Sequence, residues 1–412
     1  MSVLAFLAVA AGLPAAAPAA AGPLPVAGAV VSAPTGSIGT MACYGPKSCI
    51  GLGAFTQAQS AEYYLQTWDG SRWGPVFGEF PNSGNYALSS IWCSSATYCV
   101  AAGSTNANGA AAQAPLTATW NGRTWSASKP PNPTRSPQWA WFNGISCASA
   151  KFCVAVGDYT WPWGNSGPVN EGFADMWNGT KWTLTRKLVA RPGAITSNLY
   201  DVSCPSAGSC VAAGGSYVPY TSGTLADPTA VAVTEMWNGR KWTQVNASAP
   251  ARGHGQLTDV SCWSGRGCVA VGYYYRHNST LTSNLAESWN GRRWTAVTPF
   301  ATGNSPDLNG VSCTSAVSCL AVGTGNDGPN RTPIRAIADS WNGRSWKAVP
   351  VATPPRGSGS HNGYELAVVK CASAANCVAT GLAGPFHGQG IDLIYPFAEL
   401  WSGKSLKVIS DS

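Results

Sequence analysis

Seven copies of one strand pattern predict an all-β chain: a seven-bladed β-propeller of four-stranded antiparallel blades, with one hairpin disulfide per blade. Three observations carry that prediction. The 14 cysteines fall into seven Cys-x5-Cys pairs with none left over: Cys43/Cys49, Cys93/Cys99, Cys147/Cys153, Cys204/Cys210, Cys262/Cys268, Cys313/Cys319 and Cys371/Cys377. An Asn-Gly dipeptide, or its Asp-Gly or Ser-Gly equivalent, recurs once per unit between two short apolar runs. A tryptophan precedes each of these dipeptides, and a second follows in six of the seven units.

Successive first cysteines lie 50–58 residues apart, a period of propellers and solenoids. Each unit opens with two short apolar segments that carry the cysteines and are joined by five residues, as in LNGVSC-TSAVS-CLAVG. These read as a hairpin of strands a and b. Seven identical spacings argue for seven local disulfides in an oxidising compartment. A metal site would want CxxC pairs or histidines at ligand spacing, but His254, His277, His361 and His387 lie away from the pairs, and no metal is expected. Closing so short a loop removes about 2 kcal/mol of unfolded-chain entropy per bridge, and each bridge is expected to fix the register of its own hairpin.

The second hairpin, strands c and d, turns at Asp69-Gly70, Asn121-Gly122, Asn178-Gly179, Asn238-Gly239, Asn290-Gly291, Asn342-Gly343 and Ser402-Gly403. The dipeptides predict two-residue type I′ turns, which need positive φ at both central positions. Trp68, Trp120, Trp177, Trp237, Trp289, Trp341 and Trp401 end strand c; Trp73, Trp125, Trp182, Trp242, Trp294 and Trp346 open strand d, with Leu406 in the last unit. Tryptophans fixed at one place in every unit are expected to pack between neighbouring sheets.

Composition narrows the class. With 45% hydrophobic and 10% charged residues in 412, neither a wholly disordered chain nor a coiled coil is possible. A net charge of +7 without a basic run does not make a nucleic-acid stripe. The apolar stretch Val3–Leu13 followed by small residues predicts a signal peptide over 1–21, a linker over 22–36 and a secreted propeller over 37–410. The expected blades run approximately 37–79, 87–129, 141–188, 198–246, 256–298, 307–350 and 364–410. Pro14 and Pro18 interrupt the apolar run before it reaches the ~20 residues of a spanning helix. A soluble monomer without a cofactor is expected.

Strand b ending in AVG or AAG, strand c ending in an aromatic, and strand d carrying Trp together resemble kelch-like repeats of the type in the galactose-oxidase central domain. The kelch Gly-Gly doublet occurs only at Gly214-Gly215, and the cysteine pair is foreign to that pattern. The resemblance implies a propeller. It does not bring the oxidase copper site, which needs a Tyr linked to a Cys, because every cysteine here has a repeat partner. Blades one and seven each hold four strands of their own, so the ring is expected to close either by side packing or with an added seam strand from residues 24–36.

In a propeller, the a–b and c–d turns share one face and the b–c and d–a loops the other. Here the turns are short and uniform while the loops are long and variable, and variable loops on a rigid scaffold carry function. The loop face holds Trp139, Trp141, Tyr159, Trp161, Trp163, Tyr217, Tyr220, Tyr273, Tyr274 and Tyr275, the candidate ligand-binding residues, with Phe386 and Tyr395 near blade seven. Exposed rings suit a carbohydrate or cell-envelope polymer, or an extracellular protein; the competing expectation is that they pack the loops. Basic residues crowd the c–d tips, which keeps the turns soluble. An acid stands two before the strand-c Trp in five blades, namely Asp175, Glu235, Glu287, Asp339 and Glu399, and is expected to partner backbone or basic groups. No phosphate loop, HExxH or GxSxG motif is present, and no catalytic residue is assigned. The alternatives are a polysaccharide hydrolase or lyase using loop-face carboxylates such as Asp158, Asp227, Asp327 and Asp392, and a protein-interaction scaffold.

Overall fold

The computed structural model describes residues 37–409 except 46, 58–59, 81–85, 106–112, 135–138, 163–167, 189–195, 219–228, 248–253, 276–281, 298–303, 327–333, 355–361 and 386–394. The expected signal peptide and linker, and any seam strand from 24–36, lie outside the described residues. The elements described are 28 β-strands, four per blade in the antiparallel order a-b-c-d. Inner strands run Ser37–Gly45, Tyr86–Ser95, Trp139–Ser149, Thr196–Ser206, His254–Ser264, Asn304–Ser315 and Asn362–Ser373. Outer strands begin at the second tryptophan of each unit, or at Leu406 in blade seven. Five blades are separate sheets. Blades three and four merge into one eight-stranded sheet, because Asn170 and Glu171 pair in parallel with Thr196 and Ser197.

All seven expected bridges are present: Cys43–Cys49, Cys93–Cys99, Cys147–Cys153, Cys204–Cys210, Cys262–Cys268, Cys313–Cys319 and Cys371–Cys377. Each bridge links the two strands of its own hairpin, as the spacing predicts, and its strand-b member is also core between two blades. Cys99, Cys210, Cys268, Cys319 and Cys377 are all buried, as are Cys49 and Cys153. Cys99 belongs to the cluster of Ile50 and Leu52 from blade one, and Cys210 to that of Val154 from blade three. Cys268 shares a cluster with Val211, Cys319 with Val269 and Cys377 with Leu320, in each case from the preceding blade. The bridge therefore contributes apolar contact as well as loop closure, since a buried half-cystine packs as a small hydrophobe.

Strand b is apolar on both faces because both are covered by adjacent blades. Cys153, Val154, Ala155 and Val156 have no exposure at all. The glycine of its AVG or AAG end has a steric cause. Strand a shifts register opposite it, as between Leu257 and Asp259, and the bulge swings a carbonyl over the glycine. A Cβ on Gly157 would stand 1.9 Å from the Trp141 carbonyl oxygen, and one on Gly214 1.8 Å from that of Asn198.

The c–d turn corrects the two-residue expectation. Trp120 pairs with Trp125, so the loop has four residues, Asn121 to Thr124, closed by Asn121 N–H donating to Thr124 O at 3.2 Å. Asn121 contributes its side chain: Oδ1 accepts the N–H groups of Arg123 and Thr124, both at 2.9 Å. Gly122 supplies the positive φ, +91°. The same Asx arrangement recurs at Asn178, Asn238, Asn290 and Asn342. What selects Asn-Gly is an acceptor followed by a left-handed residue.

The paired tryptophans stack with ring centroids 5.4–5.8 Å apart in six blades. The strand-c indole also reaches across to the a–b turn. Trp120, Trp177, Trp237, Trp341 and Trp401 donate Nε1–H to the carbonyls of Ala96, Ala150, Ala207, Ala316 and Ala374 at 3.1–3.2 Å. These blades are thus locked twice at the turn face, by disulfide and by indole.

Polar side chains stitch each inner strand to the next. Asn143 Nδ2 donates to Leu199 O (2.8 Å), Thr258 Oγ1 to Leu308 O (2.8 Å) and Asn309 Nδ2 to Leu366 O (3.0 Å). The serines before the cysteines accept from the following blade: Cys204, Cys262, Cys313 and Cys371 donate N–H to Ser146, Ser203, Ser261 and Ser312 at 2.9–3.0 Å. Among the described residues, blades one and seven meet by side packing. Met41, Cys49 and Trp68 pack on Val378, and Thr380 Oγ1 donates to Ile38 O at 3.3 Å.

Candidate functional site

The described candidate residues lie at the loop-face ends of strands in blades three to five, with Tyr159 and Tyr274 turned into the core. Trp139 opens the inner strand of blade three and is 42% exposed, one of two large hydrophobic side chains in the open among the described residues; Val317, the other, stands in an a–b turn on the opposite face. Trp141, two residues on and so on the same sheet face, is half-buried and donates Nε1–H to Asn143 Oδ1 at 3.0 Å. Asn143 Nδ2 in turn donates to Asp158 Oδ2 at 2.8 Å. Thr160 sits opposite Trp139 and donates to Asn170 Oδ1 at 2.5 Å.

Asp158 lies inside strand b of blade three rather than in a loop, and it is 2% exposed. Burial outweighs its hydrogen bonds from Leu199 N–H and Asn143 and raises its carboxyl to about 7. It is a joint between blades, not a free acid over a channel. Tyr159 points to the other face, is 3% exposed, and gives its hydroxyl to Glu171 while its ring packs edge-on against Phe173. Burial first, then the Glu171 carboxylate, pushes the Tyr159 phenol well up. Trp161 follows in the same strand opposite Val169, and Tyr217 lies opposite Ala230 in blade four. Trp163, Tyr220 and Phe386 fall outside the described residues, as do Asp227, Asp327, Asp392, His277, His361 and His387.

Blade five carries the tyrosine run. Tyr273 and Tyr275 meet edge-to-face at 5.8 Å, while Tyr274 packs into the blade core. A chain of polar contacts runs inward from them across two blades. Gln256 Nε2 donates to Tyr273 Oη (2.6 Å), Tyr200 Oη to Gln256 Oε1 (3.4 Å), and Asn198 Nδ2 to Tyr200 Oη (3.1 Å). Asn198 Oδ1 is buried without a hydrogen-bond partner among the described residues. Burial, chiefly, pushes Tyr200 up to about 12, so it stays a neutral donor. The pattern that sequence reasoning missed is this run of Asn143, Asn198, Tyr200 and Gln256 on the inner strands.

Nearer the turn face, the axis holds a cavity of about 170 Å³ lined from all seven blades, by Thr40, Ser90, Ser146, Asp201, Ser261, Ser312 and Lys370 among others. Burial and the neighbouring Asp259 carboxylate hold Asp201 well above the usual carboxylate range. Asp259 is tied to backbone, accepting from Val311 N–H at 2.7 Å. Among the described residues no group of three or more His, Cys, Asp and Glu side chains could hold a metal ion.

The repeated strand-c acids are all buried, and only part of the expected pairing is seen. Glu235 meets Arg186 of the preceding blade at 2.7 Å, whereas both carboxylate oxygens of Asp175 and of Glu399 have no hydrogen-bond partner among the described residues. Burial raises Asp175 and Glu399 to about 8 and Asp339 to about 7.

No protein-family model matches the chain, and neither does any curated protein. Solved propellers do. An ulvan lyase of polysaccharide lyase family 25, bound to a glucuronate–rhamnose-3-sulfate repeat, matches with a TM-score of 0.57 at 9% identity, over 93% of this chain and 94% of that one. The GH74 xyloglucanase of Xanthomonas campestris matches with a TM-score of 0.50 at 12% identity, over 89% of this chain; this chain covers only 58% of that enzyme. The propeller domain of the Trilobed protease of Pyrococcus furiosus, which has an open velcro topology, gives 0.47 at 9% identity, over 91% and 98%. At these identities the likeness is one of fold, and the fold is a β-propeller.

Proposed function

We propose that this is an exported, non-catalytic binding propeller that holds a carbohydrate or cell-envelope polymer on the loop face of blades three to five. The observation that carries the reading is Trp139, a large aromatic left in the open two residues from Trp141, whose indole donates to Asn143, with the hydrogen-bonded chain Asn198, Tyr200 and Gln256 on the next two blades. An exposed indole offers a flat apolar face to a sugar ring, and neighbouring amides and phenols supply directional bonds to its hydroxyls. Propellers of similar fold include a ulvan lyase and a xyloglucanase, which supports a glycan as the ligand class. Seven disulfides fit export to an oxidising compartment.

Among the described residues, the adjacent acids Asp201 and Asp259 do not suit the hydrolase or lyase alternative. Asp201 touches Asp259, which leaves no room for the glycosidic bond that a working acid pair must straddle. The test is a glycan and wall-polysaccharide array read for both retention and released product. Retention without cleavage is expected, with Trp139→Ala reducing it about tenfold or more at unchanged melting temperature. Released oligosaccharide, or retention indifferent to Trp139→Ala, overturns the reading.

A further inference from the structure

The layer of inner-strand residues directly before the first cysteine of each unit reads Ala42, Trp92, Ser146, Ser203, Ser261, Ser312 and Lys370 around the ring. All seven line the axial cavity. Each of the four serines uses its oxygen to accept the backbone N–H of the next blade's cysteine. A hydroxyl that accepts still has a proton to give, and none of the four donates to a protein acceptor among the described residues. Their oxygens are fixed by the backbone, so the spare protons are presented from consecutive blades at one level of the axis. Lys370 continues the same layer in the next blade. Its ammonium forms no ion pair among the described residues, although it lies close enough to Asp201 to act on that carboxyl.

A row of hydroxyl donors that ends in an unpaired ammonium has one chemical complement. We infer that the axial cavity binds a small oxyanion, held by Lys370 and by the hydroxyl protons of Ser146, Ser203, Ser261 and Ser312. The volume of about 170 Å³ is ample, since a cavity of roughly 150 Å³ admits benzene, and a tetrahedral oxyanion is smaller. The lining also contains one acid, Asp201, which sits against Asp259, but the surrounding turn face is basic. The disulfide end of the inner strands lies toward the turn face, where Arg123, Lys181, Arg240, Arg292 and Arg344 are exposed. Asp69 is the only acid in those turns, and it is already paired with Arg72 at 3.7 Å. A face of one sign draws anions toward its centre. The anion is either free, such as phosphate or sulfate, or the charged group of a larger molecule such as a sulfated sugar. This site is separate from the loop-face glycan site and does not depend on it.

The experiment is titration of the full-length, disulfide-bonded protein with inorganic phosphate and, separately, with sulfate, by calorimetry at constant ionic strength set with sodium chloride. One saturable site per chain is expected. Lys370→Met should weaken it about ten- to hundredfold, Lys370→Arg should retain it, and the rim double variant Arg292→Ala/Arg293→Ala, which removes only long-range attraction, should weaken it by no more than about twofold. No saturable site, or a site lost with the rim pair and kept in Lys370→Met, overturns the assignment. Should Lys370→Met fail to fold, selenate soaked into wild-type crystals decides: an anomalous peak inside the serine layer supports the site, and peaks confined to the rim overturn it. Competition by a 3-sulfated monosaccharide distinguishes the sources. Displacement of phosphate assigns the site to a sugar-borne group, and failure to displace assigns it to the free ion.

Discussion

Leu199 of blade four donates its backbone N–H to Asp158 Oδ1 of blade three at 2.9 Å, while its carbonyl accepts Asn143 Nδ2 at 2.8 Å. Leu199, in register with Gly214 of its own blade, is therefore also held through both its N–H and its carbonyl by the neighbouring blade. Replacing Asp158 with Ala strands a buried N–H and an amide donor. A loss of about 2–4 kcal/mol is expected from denaturant midpoints. Asp158→Asn keeps one acceptor and should cost about half as much. Equal costs for the two variants would show that the carboxylate is not the joint.

The buried acids set a pH dependence with a definite sign. Asp158 and Asp339 are raised to about 7, and Asp175 and Glu399 to about 8, in each case chiefly by burial. In the unfolded chain such groups ionise near pH 4. Their contribution is therefore intact below about pH 4 and is lost as pH rises through 7 to 8, because the unfolded state sheds protons that the fold retains. Across that window each group costs about 1.4 kcal/mol per pH unit. Guanidinium midpoints should fall steadily from pH 4.5 to 8.5. Asp175→Asn combined with Glu399→Gln should flatten the slope, and stability that rises with pH would sink the account.

Arg186 and Glu235 join the outer edge of blade three to strand c of blade four at 2.7 Å, with the carboxylate wholly buried. Removing only the cation leaves that acid in an apolar wall. Arg186→Met is expected to cost about 3–5 kcal/mol, and Arg186→Met/Glu235→Leu should recover most of it. Urea melts of the two single variants and the double variant form the cycle. Failure of the double variant to recover would show that the pair specifies packing beyond its own charge.

Much of this architecture is legible in single residues. The cysteine spacing marks the a–b hairpin, and the tryptophan on each side of Asn-Gly marks the c–d hairpin, because each spacing is set within one blade. What sequence reading misses acts between blades. Ser203 binds Cys262 N–H 59 residues away, and Asn143 binds Leu199 O 56 residues away, so neither role shows inside a repeat. The packing of Cys210 against blade three is hidden for the same reason. The four-residue turn was hidden because Asn-Gly also suits a two-residue turn, and only the Trp120–Trp125 pairing separates the two. At the loop face, Tyr159 and Trp139 look alike in sequence as aromatics beside a loop. Alternation along their strands turns one into the core and the other into the open.

The glycine after each strand-b AV or AA provides the sharpest steric test. On Gly157 a Cβ would collide with the Trp141 carbonyl oxygen at 1.9 Å, and the oxygen cannot move away because the strand-a bulge that places it also sets Asn143 against Leu199. Gly157→Ala should therefore open the bulge and disturb the blade three–four joint, at a cost of about 3 kcal/mol or more. Gly208→Ala, where a Cβ would meet nothing nearer than Ser206 Oγ at 4.0 Å, should change stability by no more than about 0.5 kcal/mol. Hydrogen exchange at Leu199 N–H separates the bulge from a merely local clash. In Gly157→Ala its protection should drop together with global stability, because Asp158 would be displaced with the strand. Retained protection at Leu199 beside a large loss of stability would place the damage elsewhere in the blade.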